Sequence, residues 1–322
     1  NRAVGHYIAQ ATGAEAGMVT SGAASGIVLT MAACMTGTDI AKIRQLPNAS
    51  GMKDELVIQK IHRGPYSHMY TFAGARFVEV GNIGATLPEE LEQAIGPQTA
   101  AVAYLVAPHT PRSGLSLPQV AEIAHRHDVP VIVDAAAMLP PKTNLRRFIE
   151  QGADLVTMSG GKALHGPQAT GLLFGRKTLV DAAIANQSPN HAIGRPHKVS
   201  REEMMGLYMA LKLFMETDEE AVAAEYRKCL EPIVHALEGI PGLRVSIEHD
   251  HHQYSEPTAV VRLPETLRGE GGEKIAERLM AEEPRIYLRY MPDLNTLLVN
   301  PVNLQAGEPE IVAQRLAQVL GR

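Results

Sequence analysis

No tryptophan occurs among the 322 residues, and the aromatic residues together make up only 4%. A core for this chain must therefore come from Ala, Val, Ile, Leu and Met, and the 45% apolar content is high enough to exclude disorder. Positive charge is not in excess either. Thirty Lys and Arg stand against 35 Asp and Glu, a net charge of −5, which offers no basic field for nucleic acid or an anionic membrane. The two cysteines, Cys34 and Cys229, lie too far apart in sequence for a disulfide framework or a CxxC metal site. A reducing, cytoplasmic compartment is expected. No apolar run reaches the roughly 18 residues of a membrane-spanning helix. The opening Asn1-Arg2-Ala3-Val4-Gly5-His6 holds neither an initiator Met nor the apolar stretch of a signal peptide. The chain is expected to begin partway into a longer protein.

Short β-rich apolar runs alternate with helical patterns over the first two-thirds. Strands are expected at 56–61, 76–80, 101–106, 129–133, 155–158 and 171–174, and helices at 4–11, 22–36, 67–73, 87–94, 117–127 and 144–151. Apolar strands joined by helical crossovers predict a mostly parallel α/β sheet, covered on both faces. Sites in such sheets gather at the carboxyl ends of strands. From Ser200 the texture changes. Ser200-Arg201-Glu202-Glu203 reads as a capping box opening a helical stretch through Leu237. Strands at 243–247, 257–263, 286–290 and 296–299 follow, with helices at 273–281 and 309–320. The pattern predicts a large α/β domain over 1–198 and a smaller α+β domain over 199–322.

Three features sit at the ends of these elements. Thr20-Ser21-Gly22-Ala23-Ala24-Ser25-Gly26 opens a helix with small residues, which lets backbone N–H groups approach an anion. Close packing alone would explain the same composition. Val131-Ile132-Val133-Asp134 ends a buried strand in a carboxylate, which could bind a metal, attack as a nucleophile, pair with a protonated ring nitrogen, or simply cap a turn. Ser159-Gly160-Gly161-Lys162 ends the next strand in a lysine on a two-glycine loop. Taken in order, the three supply what pyridoxal phosphate requires. The lysine forms a Schiff base, the carboxylate keeps the ring nitrogen protonated, and the helix start holds the phosphate.

The run from Ser159 to Gly171, with Asp134-Ala135-Ala136-Ala137, Pro140-Pro141, the stretch from His62 to His68, and Gly194-Arg195-Pro196-His197-Lys198, resembles the bacterial seryl-tRNA selenium transferase-like proteins. These belong to the fold type I pyridoxal-phosphate superfamily. The likeness is strongest to the branch that includes D-glucosaminate-6-phosphate ammonia-lyase, spans most of residues 1–215, and thins out beyond. It implies a three-layer α/β/α transferase-like large domain, N-terminally incomplete here, built as at least a homodimer.

The resemblance makes Lys162 the Schiff-base lysine and Asp134 the partner of the ring nitrogen. Ser159 and the turn Ser21, Gly22, Ala23 and Ala24 would bind the phosphate, and Ala136 would pack under the ring. A histidine on the ring's other face is expected to be His68, near a helix start, with His62 as its rival. His165 is a candidate second acid or base, or a packing residue. Arg195 and Lys198 are candidate anion-binding groups, or a solvated loop. For a substrate carboxylate the candidates are Arg289 and Arg112, since arginine offers a bidentate fork.

The reaction implied is a lyase step on a small amino acid or amino-sugar acid: Cα deprotonation, β-elimination, and release of ammonia and a keto acid. Racemisation shares the first step. Selenium transfer on seryl-tRNA and a non-catalytic α/β binding module stay open beside it. The negative net charge favours a small molecule over tRNA. The S-x-x-K of serine acyl-transferases lacks its S-D-N and K-T-G partners here. Adjacent residues of His249-Asp250-His251-His252 point to opposite faces of an extended chain, so a polar hairpin loop is expected there rather than a metal site.

Overall fold

The structure is a computed structural model, and it describes residues 1–108, 113–251 and 254–321. Two compact units divide the chain, Asn1–Glu216 and Thr217–Arg322. In order, the first holds α1 (Arg2–Thr12), β1 (Ala16–Thr20), α2 (Gly22–Thr36), α3 (Ile40–Gln45), β2 (Glu55–Gln59), β3 (Arg76–Val80), α4 (Pro88–Ala94), β4 (Thr99–Leu105), α5 (Leu117–Arg126), β5 (Val131–Asp134), α6 (Asn144–Glu150), β6 (Leu155–Ser159), β7 (Gly171–Gly175), α7 (Lys177–Ala185) and α8 (Arg201–Glu216). Short 3-10 turns cover Lys60–His62 and Ser67–Ala73.

The seven strands form one sheet in the order β1-β7-β6-β5-β4-β2-β3. From β3 to β6 neighbours run parallel, while β7 pairs antiparallel with both β6 and β1. Alternate side chains of each strand enter opposite helix layers. Val57, Val102, Val131, Val133 and Val156 pack with α1, α5, α6 and α8. Leu56, Ile58, Ala101, Ala103 and Ile132 pack on the other face against Ile27, Met31 and Met35 of α2. This is the expected three-layer α/β/α unit. Helix α2 is apolar all round and almost wholly buried, as a helix needs when sheet and neighbouring helices enclose it.

Sequence reading did not mark β1, α3 or α7 as elements, and it ran one helix from 200 to 237. The capping box forms as expected, with Ser200 N–H donating to Glu203 Oε2 (2.8 Å) and Glu203 N–H to Ser200 Oγ (3.1 Å). The helix then breaks at Thr217-Asp218. Asp218 accepts from the N–H groups of Glu220 and Ala221 and so starts a second helix, α9 (Glu219–Leu237). Leu207 and Leu211 of α8 lie fully buried in the first unit's core. The break between units therefore falls at 216/217, beyond the change of texture at Ser200.

The second unit continues with β8 (Arg244–Glu248), β9 (Thr258–Arg262), α10 (Glu270–Ala281), β10 (Arg289–Met291), β11 (Thr296–Val299) and α11 (Glu308–Leu320). Its four-stranded antiparallel sheet has the order β10-β11-β9-β8. One face packs on Leu230, Ile233, Leu279 and Leu316 of the helices. His249 and His251 lie between β8 and β9 with ring centroids 4.0 Å apart; His252 lies outside the described residues. Among the described residues, no helix is long and apolar enough to cross a membrane.

Candidate active site

The sheet brings the lysine and the carboxylate together because β5 and β6 are parallel neighbours. Asp134 is the last residue of β5, in register with Thr157, and Lys162 follows the end of β6. The loop carrying Lys162 is closed by backbone bonds from Gly160 N–H to Thr170 O (2.8 Å), Gly166 N–H to Gly160 O (2.9 Å) and His165 N–H to Lys162 O (2.8 Å). Both glycines are needed there. A Cβ on Gly160 would meet Thr170 Oγ1 at 2.3 Å, and one on Gly161 would meet Gln168 Cα at 2.6 Å. Lys162 is exposed, and so is His165, whose φ of 53° places it in the left-handed region. Ser159 is half-buried opposite Gly171.

The start of α2 lies against the same strand ends. Ser21 is its N-cap residue, but its hydroxyl caps no N–H of the helix. Gly22, with φ +74°, turns the chain into the helix, and Thr20 Oγ1 donates to its carbonyl (2.9 Å). A Cβ on Gly171 would meet the Gly22 carbonyl carbon at 2.6 Å, so β7 passes the helix start at backbone distance. One further link escaped sequence reading. Ser25 Oγ lies 3.0 Å from His197 Nδ1, which ties the 194–198 loop to the first turn of α2. Arg195, exposed, donates to the Pro189 carbonyl (2.5 Å), and Lys198 is also exposed.

Asp134 is 7% exposed, and the N–H of Ala136 donates to its Oδ1 (3.1 Å), the only hydrogen bond its side chain makes among the described residues. Burial pushes its carboxyl above the ordinary carboxylate range, with the Ala136 N–H and the Lys162 ammonium acting the other way. A cavity of about 30 Å³ opens beside it, lined by His62, Gly64, Tyr66, Tyr70 and Tyr104 among others. His62 is 2% exposed and stands edge-on to Tyr104, with ring centroids 4.2 Å apart. Burial pushes its ring down to about 4.

His68 stands elsewhere. It is exposed, its Nδ1 lies 2.8 Å from the Pro65 carbonyl, and it does not line this cavity. The structure thus brings His62, and not His68, to Asp134. Arg289 is exposed on β10 of the second unit, and Arg112 lies outside the described residues.

These residues fit pyridoxal phosphate. A buried carboxyl bonded to only one backbone N–H among the described residues suits a protonated ring nitrogen. The bare helix start is a cradle that an added Cβ at Gly171 would fill, and Lys162 is exposed one strand away.

The family model of SelA, L-seryl-tRNA selenium transferase, matches residues 1–230. Over 321 residues the chain is 32% identical to a D-glucosaminate-6-phosphate ammonia lyase of Salmonella typhimurium, covering 98% of this chain and 84% of that protein. Over 329 residues it is 34% identical to a 5′-C-glycyluridine monooxygenase-decarboxylase of a Streptomyces species, covering 99% and 80%. The solved structure of a D-glucosaminate-6-phosphate ammonia-lyase superposes with a TM-score of 0.84 at 30% identity, over 99% of this chain and 85% of that one. The pyridoxal-5′-phosphate-dependent protein YhfS of Escherichia coli shares the fold, at a TM-score of 0.63 and 15% identity over 99% of this chain and 84% of that one.

Proposed function

The chain belongs to the SelA, L-seryl-tRNA selenium transferase, family and is a pyridoxal phosphate-dependent enzyme of fold type I, and from that premise we propose that it is a lyase acting on a small amino acid or amino-sugar acid. The observation that carries the reading is the placement of Asp134 and Lys162 at the ends of adjacent parallel strands, beside the bare start of α2.

Lys162 Nζ would hold the cofactor covalently, Asp134 would pair with its ring nitrogen, and Ser159 with the turn Ser21–Ala24 would receive its phosphate. Ala136 would pack under the ring and His62, in place of His68, would cover its other face, a reading supported by the cavity wall that His62 shares with Asp134. When bound, pyridoxal phosphate supplies an electron-accepting ring that stabilises negative charge at Cα. Lys162 Nζ, once free, takes the Cα proton. Asp134 holds the proton at the ring nitrogen. His165, three residues beyond the lysine, is the candidate acid for the leaving group. For a β-hydroxy substrate, the Cα proton and the β-hydroxyl leave together as one water and one water returns on hydrolysis, so the products are a keto acid and ammonia. Arg289 and Arg112 are the candidates for the substrate carboxylate, and Arg195 and Lys198 for a phosphate.

The substrate is a small molecule rather than tRNA, a reading supported by the net charge of −5. A homodimer is proposed, supported by the apolar side chains of Tyr66, Phe72 and Ile83 that the first unit leaves 60%, 55% and 86% exposed. Cytoplasmic placement is supported by two cysteines that form no disulfide.

The test is the absorbance spectrum of the purified protein, borohydride reduction, and mapping of the labelled peptide. A visible band, a label on Lys162 and loss of both in Lys162→Ala are expected. Amino acids are then screened for keto acid and ammonia, with carbon dioxide and optical rotation read in parallel. Absence of a chromophore after incubation with pyridoxal phosphate would sink the reading. Carbon dioxide release or loss of rotation without ammonia would replace the lyase by a decarboxylase or a racemase.

A further inference from the structure

Gln59, the last residue of β2, is 1% exposed, and its amide is gripped by the backbone of a single residue in the loop before α5. Leu115 N–H donates to Gln59 Oε1 (2.7 Å), and Gln59 Nε2 donates to the Leu115 carbonyl (3.2 Å). An amide oxygen only accepts and an amide nitrogen only donates, so this pair decides which end of Gln59 faces which way. The nitrogen is the end that lies 3.5 Å from His62 Nδ1. Gly114 permits the approach, since a Cβ there would meet Gln59 Oε1 at 2.4 Å and Ile61 Cδ1 at 2.5 Å.

We propose that Gln59 is a positioning residue that holds His62 as a neutral imidazole with its proton on Nε2. The proposal rests on the function proposed above, in which His62 covers the face of the cofactor ring. A donor aimed at Nδ1 requires a lone pair there, and a proton on that nitrogen would set two N–H groups against each other. The charge on the site makes the same demand. With the cofactor bound, Asp134 would keep a proton on the ring nitrogen, and an imidazolium over the ring's face would oppose that positive charge, whereas a neutral imidazole would not. The titratable groups lining the cavity with His62 are Asp134 from β5, Tyr104 from β4, and Tyr66 and Tyr70 from the segment after β2. Burial raises the Tyr70 and Tyr104 hydroxyls above their ordinary values, so both stay neutral beside the ring.

The test is long-range proton–nitrogen correlation NMR on histidine-labelled holoenzyme, with the His62 signal assigned by its loss in His62→Phe. Wild type is expected to carry the proton on Nε2, with no change between about pH 8 and about pH 5.5. Gln59→Glu puts an acceptor where the donor was. It is expected to move the proton to Nδ1, raise the His62 proton affinity at least about tenfold, and shift the acid limb of the kcat profile upward to match. Gln59→Met keeps the volume without a donor, is expected to give a mixture of the two tautomers, and carries the test if Gln59→Glu does not fold. A proton on Nδ1 in wild type, or identical tautomers and titrations in wild type and variants, overturns the proposal. The same spectra taken without cofactor judge Gln59 independently, so a protein that never binds pyridoxal phosphate would fail the proposed function without deciding this inference.

Discussion

Helix α2 meets strand β6 where the bare backbone of Gly26 faces the side chain of Thr157. A Cβ on Gly26 would come within 2.1 Å of Thr157 Oγ1, and that hydroxyl donates to the Ala23 carbonyl at 3.4 Å. The contact draws the start of α2 to the end of β6, next to the loop that carries Lys162. The absence of a side chain on Gly26 is what lets the first turns of α2 pack this closely on β6.

Gly26→Ala forces this contact apart. Overpacking of this kind destabilises a core by about 1–3 kcal/mol. We expect a lower midpoint in urea and, because the helix start moves with it, weaker binding of pyridoxal phosphate in a spectroscopic titration. A variant that lost stability but kept cofactor affinity would separate the packing contact from the cradle.

Asp134→Asn is expected to help the empty protein and harm the loaded one. Burial raises the folded carboxyl above its unfolded value, so the folded chain binds that proton more tightly. Its contribution to stability is present below the ordinary carboxylate range and lost as pH rises through the raised value. At about pH 7 the cofactor-free variant should melt higher than wild type, with the gain shrinking near about pH 4. Turnover should fall roughly ten- to a hundredfold, the worth of one charge-assisted hydrogen bond. Melting curves and steady-state rates check both halves.

His62 carries the opposite sign. Its folded pKa, near 4, lies below the ordinary 6.5, so stability is present above 6.5 and drains away as pH falls toward 4. Between about pH 7 and about pH 5 wild type should lose about 2 kcal/mol that His62→Phe does not. Urea midpoints of the two proteins at both pH values measure this, and parallel losses would show that another group unfolds the chain in acid.

Asp154 offers a variant distant from the chemistry. It sits at the amino end of β6, 4% exposed, and accepts from Val131 N–H (2.7 Å), His125 Nε2 (2.8 Å) and Arg176 Nη1 (2.9 Å). Asp154→Asn leaves at least one of these donors facing an amide nitrogen, at a cost of about 1–3 kcal/mol. The site lies at the other end of the strands, so kcat/KM per folded molecule should not change. A drop in kcat/KM would mean the sheet transmits the damage.

Much of the candidate site could be read without coordinates because its residues fall in local patterns. A lysine on a two-glycine loop, an aspartate ending an apolar strand, and a run of small residues opening a helix are patterns over a few positions. Their placement at the carboxyl ends of strands follows from the parallel sheet those strands predict. The long helix drawn through Thr217-Asp218 failed for a local reason as well. An aspartate followed by two glutamates is a helix start, and that signal was present in the residues.

Other features had no such signal. His62 and His68 flank one short polar stretch and look alike in sequence. Which of them is buried depends on Tyr104, brought over His62 by strand β4. Gln59 reads as one more residue of the strand expected at 56–61, and its partner is the backbone of Leu115, far along the chain. The antiparallel turn of β7 between β6 and β1 likewise depends on pairing between distant segments. Sequence alone determined most of the elements, the candidate anchor residues and the family likeness, because caps, periodicities and loop glycines act between residues a few positions apart. Tertiary structure alone decided which histidine meets Asp134 and how its amide neighbour is oriented, because burial and hydrogen-bond direction depend on what the rest of the chain lays over each side chain.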